Sequence, residues 1–425
     1  MSLRMLKHND MDMLLDPGIY EKASRIAGYA EEDEIMIHYT VTPACPFRCK
    51  GCINALTAGE KEGKSLMDLS MTSGRDDLER DIKGIVHLIR RSGKADAVIV
   101  CYGGEPMLRL DKMGTLYREL NRAMDGSVSI RYMVITSGHY LERAMERCPD
   151  MARNMWLTAV SIDGTQEQHD AMRSGTSLAA IRRQLASFNR TRKGDVVIWS
   201  TLRPGMSLMD CFRSFMYFRE RGEAEHFFWH WDEAEGVIPD LETHLEKYRK
   251  DLDEIMEVYL EYLARGDLLS IVHINELMLY LLTKKRRGTT ACAVERMDNF
   301  DIIGDGKVHV CADLPLAMSI GAIDERGEVT FDEKAKAKLR KIVAYKEDLG
   351  CARCGIESYC GGRCPVQANT GGIRRAKQYC FMMREHVRTV KGYAGKITDF
   401  MLKHGLTMAD LYRSGRYTKF TDVTP

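Results

Sequence analysis

Apolar and polar residues alternate in blocks along this chain. Residues 34–41 form an apolar, β-branched run, and similar runs recur at 97–101, 130–135, 156–162, 196–202 and 227–231. Between them the apolar positions take helical spacing: Leu78, Ile82, Ile85, Val86 and Ile89 mark one face of a mainly helical stretch over 66–93, and residues 110–124 and 178–188 read the same way. Six buried strands alternating with helices predict a parallel α/β array. A curved partial barrel is the expected form, with an open nucleotide-binding sheet as the alternative that periodicity alone also accommodates. Beyond Pro239-Asp240 the apolar residues Leu245, Tyr248, Leu252, Ile255, Tyr259 and Leu263 predict one long helix ending near Gly266. Near the start, Asp16-Pro17-Gly18 predicts a turn, followed by a short helix over 20–29.

A chain of 425 residues exceeds one ordinary domain and predicts a large barrel with at least one appended unit. Lys and Arg number 62 against 61 Asp and Glu, so no global field recruits nucleic acid or an anionic membrane. No run is long and apolar enough to span a bilayer, and the first residues lack the apolar core of a secretory signal, so a cytoplasmic protein is expected. Thirteen cysteines in short Cys-x2-Cys and Cys-x3-Cys spacings point to metal in a reducing compartment rather than to disulfides. Lys284-Lys285-Arg286-Arg287 reads as a solvated loop in preference to a dock for an acidic leader peptide.

The candidate chemistry starts at Ala44-Cys45-Pro46-Phe47-Arg48-Cys49-Lys50-Gly51-Cys52, directly after the first strand. Three soft thiolates suit zinc, copper(I) or an iron–sulfur cluster. Zinc needs a fourth ligand that the local sequence does not offer, whereas a four-iron cluster can sit on three cysteines and leave one iron open. The spacing of Cys45, Cys49 and Cys52 resembles that of the radical S-adenosylmethionine (radical SAM) enzymes, which implies an open iron that binds the amino and carboxylate groups of SAM. Gly103-Gly104-Glu105-Pro106 follows the second strand; alone it would read as a turn before a helix, but strand ends are where parallel barrels gather their chemistry. By the resemblance, Gly103, Gly104 and Glu105 contact SAM. Ser161-Ile162-Asp163-Gly164, then His169-Asp170 and Arg173, is similar to a pattern of one large radical SAM branch. It implies that Ser161 and Arg173 hold SAM and that Asp163 shapes the turn. Gly51 departs from the family, in which an aromatic residue usually stands there near adenine, so either another ring such as Phe47 or Tyr102 covers that base or the cluster loop packs differently.

The final third places Cys292, thirteen residues, Gly306, four residues and Cys311, then Cys351-x2-Cys354-x5-Cys360-x3-Cys364 and Cys380. A zinc ribbon accounts for four of these cysteines, not seven. The order resembles the SPASM extension of radical SAM enzymes, which implies two auxiliary four-iron clusters. Carried over, Cys351, Cys354, Cys360 and Cys380 hold the outer one, and Cys292, Cys311 and Cys364 the inner one. The fourth inner ligand is expected from Glu295, Asp298, an unassigned cysteine or a substrate atom. Cys101, Cys148 and Cys211 remain as structural thiols, Cys101 being the one that could face substrate. His226 and His230 are expected to be a satisfied core pair, and His230 or Trp231 is placed to touch SAM or substrate.

The expected organisation is an N-terminal extension over 1–33, a partial (β/α)6 TIM-like barrel over 34–240, a helical bridge over 241–285, the SPASM domain over 286–388 and a helical tail over 389–425. The resemblance implies SAM and three 4Fe-4S clusters, one catalytic and two auxiliary, with a flavodoxin- or ferredoxin-type electron donor. Hydrogen abstraction by a 5′-deoxyadenosyl radical would modify a ribosomally made peptide or protein, forming a thioether or carbon–carbon crosslink. The short N-terminal segment leaves no room for a leader-binding domain, so recognition is expected either from a separate leader-binding protein or from the barrel itself. The second reading is an anaerobic sulfatase maturase making formylglycine; such enzymes resemble one another in an aspartate directly after the cysteine of the Gly-x4-Cys element, where this chain has Ala312 and then Asp313. Asp313 is the candidate catalytic base. A non-catalytic iron–sulfur redox protein is the reading from another class.

Overall fold

A computed structural model describes residues 11–54, 77–232, 236–311, 313–314, 316–370 and 372–417. Its frame is one parallel sheet whose first six strands follow the chain: β1 (Glu34–Thr42), β2 (Asp96–Gly103), β3 (Ser129–Thr136), β4 (Leu157–Ser161), β5 (Asp195–Leu202) and β6 (His226–Trp231). Two short strands, β7 (Ser270–Ile271) and β8 (Asn299–Ile302), extend it to eight in the order β8-β1-β2-β3-β4-β5-β6-β7. Each of the first six strands is added on the same side of the one before. Right-handed crossovers then put every connecting helix on one face and leave the other face to curl around a ligand space. The ends of the order, β8 and β7, are not paired with each other, so the barrel is partial.

Side-chain alternation separates the two faces. Tyr39 turns to the helices, where its hydroxyl meets Asp81 at 3.3 Å and its ring lies under Lys112. Cys101 is paired in register with Tyr39 and shares that face, buried. The expectation that Cys101 could face substrate is therefore corrected; its neighbour Tyr102 points to the opposite face and borders a cavity there.

The helix Leu78–Ser92 follows the expected apolar face, capped by the Asp77 carboxylate on the Arg80 amide and closed by Gly93 in the left-handed region. The earlier part of that prediction, 66–76, lies outside the described residues. The N-terminal expectation needs correction: Asp16-Pro17-Gly18 starts a helix, Pro17–Ala23, because the Asp16 side chain accepts from the Gly18 amide and proline fits the first helical position. The basic run is also not a solvated loop throughout. Lys285 pairs with Glu31, Arg287 is buried against Glu276 at 2.7 Å, and Lys284 lies over the Tyr20 ring.

The long helix Leu241–Leu263 packs along a second, Ile373–His404, which crosses residue 388 without a break. Val272–Thr283 and Met408–Gly415 close the same helical layer. Between them, strands Lys307–Val308, Gly321–Ile323 and Val329–Phe331 form a small antiparallel sheet that seats Ile323 against Gly84 of the first crossover helix. Among the described residues no helix is long and apolar enough to cross a membrane.

Asn275 joins three parts of the helical layer: it accepts from the Tyr259 hydroxyl at 2.8 Å and donates to the Leu269 carbonyl at 3.1 Å and to Ser414 at 2.7 Å. Asn275→Ala strands these buried groups and is expected to cost about 2–3 kcal/mol, read as a lower urea midpoint with an unchanged slope.

Candidate functional site

The cysteine loop is held from three sides. The Gly104 amide donates to the Thr42 carbonyl at 2.8 Å and the Glu105 amide to Ala44 at 2.9 Å. That approach requires glycine: a Cβ on Gly103 would lie 2.2 Å from the Thr42 oxygen, and one on Gly104 2.4 Å from the Ala44 oxygen. Arg48–Cys49 pairs antiparallel with Arg173–Ser174, and the Lys50 amide donates to Met172 at 2.9 Å. On the third side Arg203 Nε donates to the Lys50 carbonyl. Cys45, Cys49 and Cys52 thereby border one cavity at the C-terminal edge of the sheet. Burial pushes the Cys45 thiol up to about 11 and raises Cys49 as well.

Asp163 organises this edge. It is wholly buried, meets Arg173 Nε at 2.8 Å and Arg203 at 2.7 Å, and accepts from the Thr201 amide at 2.8 Å. Burial favours its neutral form, but the two guanidiniums outweigh that and hold the carboxyl below the usual range. The expectation that Asp163 shapes a turn is corrected: it is the shared counter-ion of two arginines. His169 ties the same turn, accepting from the Asp163 amide at 3.2 Å and meeting the Thr176 hydroxyl at 3.0 Å; burial lowers it to about 4. Arg203 was not singled out by sequence reasoning, although a cation following β5 at its C-terminal end is a readable signal.

The proposed SAM contacts Gly103, Gly104, Glu105, Ser161 and Arg173 all border the same cavity. Glu105 is buried, and its carboxylate accepts from Thr136 Oγ1 at 2.8 Å, the Ser137 amide at 2.8 Å and the Met107 amide at 3.1 Å. It ties the end of β2 to the end of β3. Phe47 lines the cavity beside His139, at 4.9 Å between rings, and Tyr102 lines it from β2. His230 is there too, bonded through Nε2 to Thr201 at 2.9 Å and lowered to about 3 by burial, so it is neutral near pH 7. Trp231 turns away and stacks on Tyr379. His226, at the opposite strand end, meets Asp195 at 3.1 Å.

Cys292, Cys311 and Cys364 border this cavity as well. With them come Asp313, whose carboxylate accepts from the Tyr102 hydroxyl at 3.4 Å, and Asp301 of β8. Burial, then the charges of Asp313 and Asp301, pushes the Cys311 thiol well up. Ala312 lies outside the described residues. Glu295 and Asp298, expected as fourth ligands, are committed elsewhere: Glu295 accepts from the Thr290 hydroxyl at 2.8 Å, and Asp298 pairs with Lys94 at 3.0 Å and with Arg296. Neither borders the cavity, while Asp301 and Asp313 do.

Cys351, Cys354, Cys360 and Cys380 converge on a second, small cavity. All the cysteines are free thiols. Among the described residues no three His, Cys, Asp or Glu side chains close on a point that a single metal ion would occupy. Cys211 is buried beside Gln168, and Cys148, half-buried, donates to the Leu110 carbonyl at 3.3 Å.

Asp163→Asn leaves two buried guanidiniums without their charge partner and is expected to cost about 3–5 kcal/mol. The folded carboxyl titrates below its ordinary value of about 3.9, so its stabilisation is complete above that pH and is lost as pH falls below it. Urea midpoints measured against pH are expected to show a shallower acid limb for the variant than for wild type.

Residues 39–210 match the family model described as the Radical SAM superfamily. No curated protein matches the chain. Among solved structures it is similar to histidine-tagged anSMEcpe with bound AdoMet, at 16% identity and a TM-score of 0.62, over 91% of this chain and 99% of that one. It is also similar to native anSMEcpe with bound AdoMet and Kp18Cys peptide, at 16% identity and a TM-score of 0.60, over 86% and 99%. A further likeness is to Streptococcus suis SuiB bound to precursor peptide SuiA, at 12% identity and a TM-score of 0.51, over 84% and 77%. At these identities the structures establish a shared fold. The family match, the parallel α/β sheet and the cysteine-bordered cavity at its C-terminal edge agree on a radical SAM domain over residues 39–210 of this chain.

Proposed function

We propose that this chain is a SPASM-type maturase that modifies a residue of a ribosomally made peptide or protein, forming a thioether or carbon–carbon crosslink. The observation that carries the reading is that one cavity is bordered both by Cys45, Cys49 and Cys52 and by Cys292, Cys311 and Cys364. The donor chemistry fits: free thiols in sets of three, three and four, ringing cavities instead of closing on a point, suit 4Fe-4S clusters better than zinc. Cys45, Cys49 and Cys52 would hold the catalytic cluster, which together with SAM would supply hydrogen abstraction from an unactivated C–H bond.

The chain's own residues have separate tasks. The loop carrying Cys45, Cys49 and Cys52 presents its thiols from a backbone fixed at Thr42, Ala44 and Lys50. Gly103, Gly104, Glu105, Ser161 and Arg173 border the space for SAM, and Arg173 brings a cation already balanced by Asp163. Asp313, beside Cys311 and bonded to Tyr102, orients a substrate group and takes its proton. Two of the similar structures were solved with a peptide, which supports a peptide substrate here. A flavodoxin- or ferredoxin-type donor, a separate leader-binding protein and a cytoplasmic setting complete the proposal. The formylglycine reading keeps its place because Asp313 reaches the cavity despite its one-residue displacement from the usual position. Peptides carrying a lone cysteine separate the two: mass loss of two hydrogens with retained sulfur marks a crosslink, and an aldehyde marks formylglycine.

Replacing Cys45, Cys49 and Cys52 together by Ala is expected to reduce 5′-deoxyadenosine to the level of a protein-free control, while iron held by the C-terminal cysteines remains. Undiminished product from that variant contradicts the assignment. Asp313→Asn is expected to slow peptide modification about 100-fold while SAM cleavage continues; wild-type turnover would remove Asp313 from the mechanism.

A further inference from the structure

The two C-terminal thiol sets stand in opposite electrostatic surroundings. Around the outer set the near charges are positive. Arg384, buried on the helix Ile373–His404 one turn beyond Cys380, donates to Cys354 Sγ at 3.2 Å and to the Cys354 carbonyl at 3.1 Å. Arg363, also buried, lines the same small cavity, its guanidinium 4.3 Å from the Tyr379 ring centre and 2.9 Å from the Trp231 carbonyl. It holds this place with φ at +61°, a conformation that a non-glycine residue adopts at a cost. The carboxylate lining that cavity, Glu357, is offset by Lys346 at 3.1 Å.

Around the inner set the balance reverses. Asp301 and Asp313 border the cavity with Cys311, and the arginines that also border it, Arg173 and Arg203, both pair with Asp163. A buried cation stabilises the more negative, reduced state of a cluster, and a carboxylate stabilises the oxidised one. Coulomb interactions keep much of their strength where water is excluded, so the sign of the nearest fixed charges decides the order.

We propose that Arg384 on one side, and Asp301 and Asp313 on the other, set the outer cluster at a higher reduction potential than the inner, making the direction from cavity to outer cysteines downhill for an electron, while Arg363, next to Cys364, lies near both sets. This rests on the reading that both sets hold clusters. It assigns Arg384 a redox-tuning role that a purely structural residue would not have.

The test uses the full chain carrying the Cys45, Cys49 and Cys52 to Ala replacements, reconstituted without air and titrated potentiometrically with EPR detection. Two midpoints are expected. Arg384→Met lowers the upper midpoint alone, Arg384→Lys shifts it less, and Asp301→Asn raises the lower midpoint alone. The proposal is overturned if Arg384→Met leaves both midpoints in place or moves only the lower one. Should Arg384→Met assemble less iron, Asp301→Asn decides: a lower midpoint that does not rise contradicts the proposal. Absence of protein-bound iron in the parent of these variants overturns the cluster reading itself, a different result from intact clusters with unmoved potentials.

Discussion

One buried carboxylate shared by two guanidiniums holds the working edge of this protein together. Asp163 follows β4, Arg203 follows β5, and Arg173 comes from the turn that pairs with the cysteine loop. Desolvating three charges is unfavourable unless each finds its partners, and here they do: Asp163 also accepts a backbone bond from Thr201, and Arg203 reaches the Lys50 carbonyl. The cost of burial is thereby turned into geometry, because the ion group is satisfied only when β4, β5 and the cysteine loop are all in place. The Gly103-Gly104 approach fixes the other flank of the loop, where any side chain would collide with backbone.

The sheet's incompleteness brings the second wall. β8 pairs with β1 in parallel, from Met36 opposite Asn299 to Tyr39 opposite Ile302, and the chain then enters the small antiparallel sheet whose connection carries Cys311 and Asp313. At the other side, Asp232 after β6 accepts from Arg375 and Tyr379 at 3.0 Å each, and its amide donates to Leu202. Tyr379 precedes Cys380 and stacks on Trp231. The outer cysteines are thus anchored to the strand ends that also border the first cavity.

Much of this is legible in the residues. Strands β1 to β6 are recoverable because both faces are covered, so their apolar runs are nearly continuous. β8 is not, since Asn299 and Asp301 interrupt the apolar pattern and are nevertheless buried. β7 has two residues and leaves no periodic trace. Cys45, Cys49 and Cys52 are readable as a set because spacing within one loop is local information, whereas Cys292, Cys311 and Cys364 are spread over the final third and are grouped only by resemblance. Which carboxylate accompanies the inner set is tertiary information: Glu295 and Asp298 are near Cys292 in sequence yet turn to Thr290 and Lys94, while Asp301 and Asp313 arrive through strand pairing and the turn beyond it. Asp163 illustrates the same limit, its motif being visible and its partner Arg203 lying forty residues on.

The central claim is that the loop of Cys45, Cys49 and Cys52 holds a cluster whose open iron takes SAM in the cavity shared with Cys292, Cys311 and Cys364. Electron–nuclear double resonance on the reduced, anaerobically reconstituted protein, with SAM labelled by nitrogen-15 at its amino group, tests it most directly. A resolved nitrogen-15 coupling that disappears when Cys45, Cys49 and Cys52 are replaced is the predicted result. A reduced cluster on these cysteines with no coupling to the labelled amine would contradict the account.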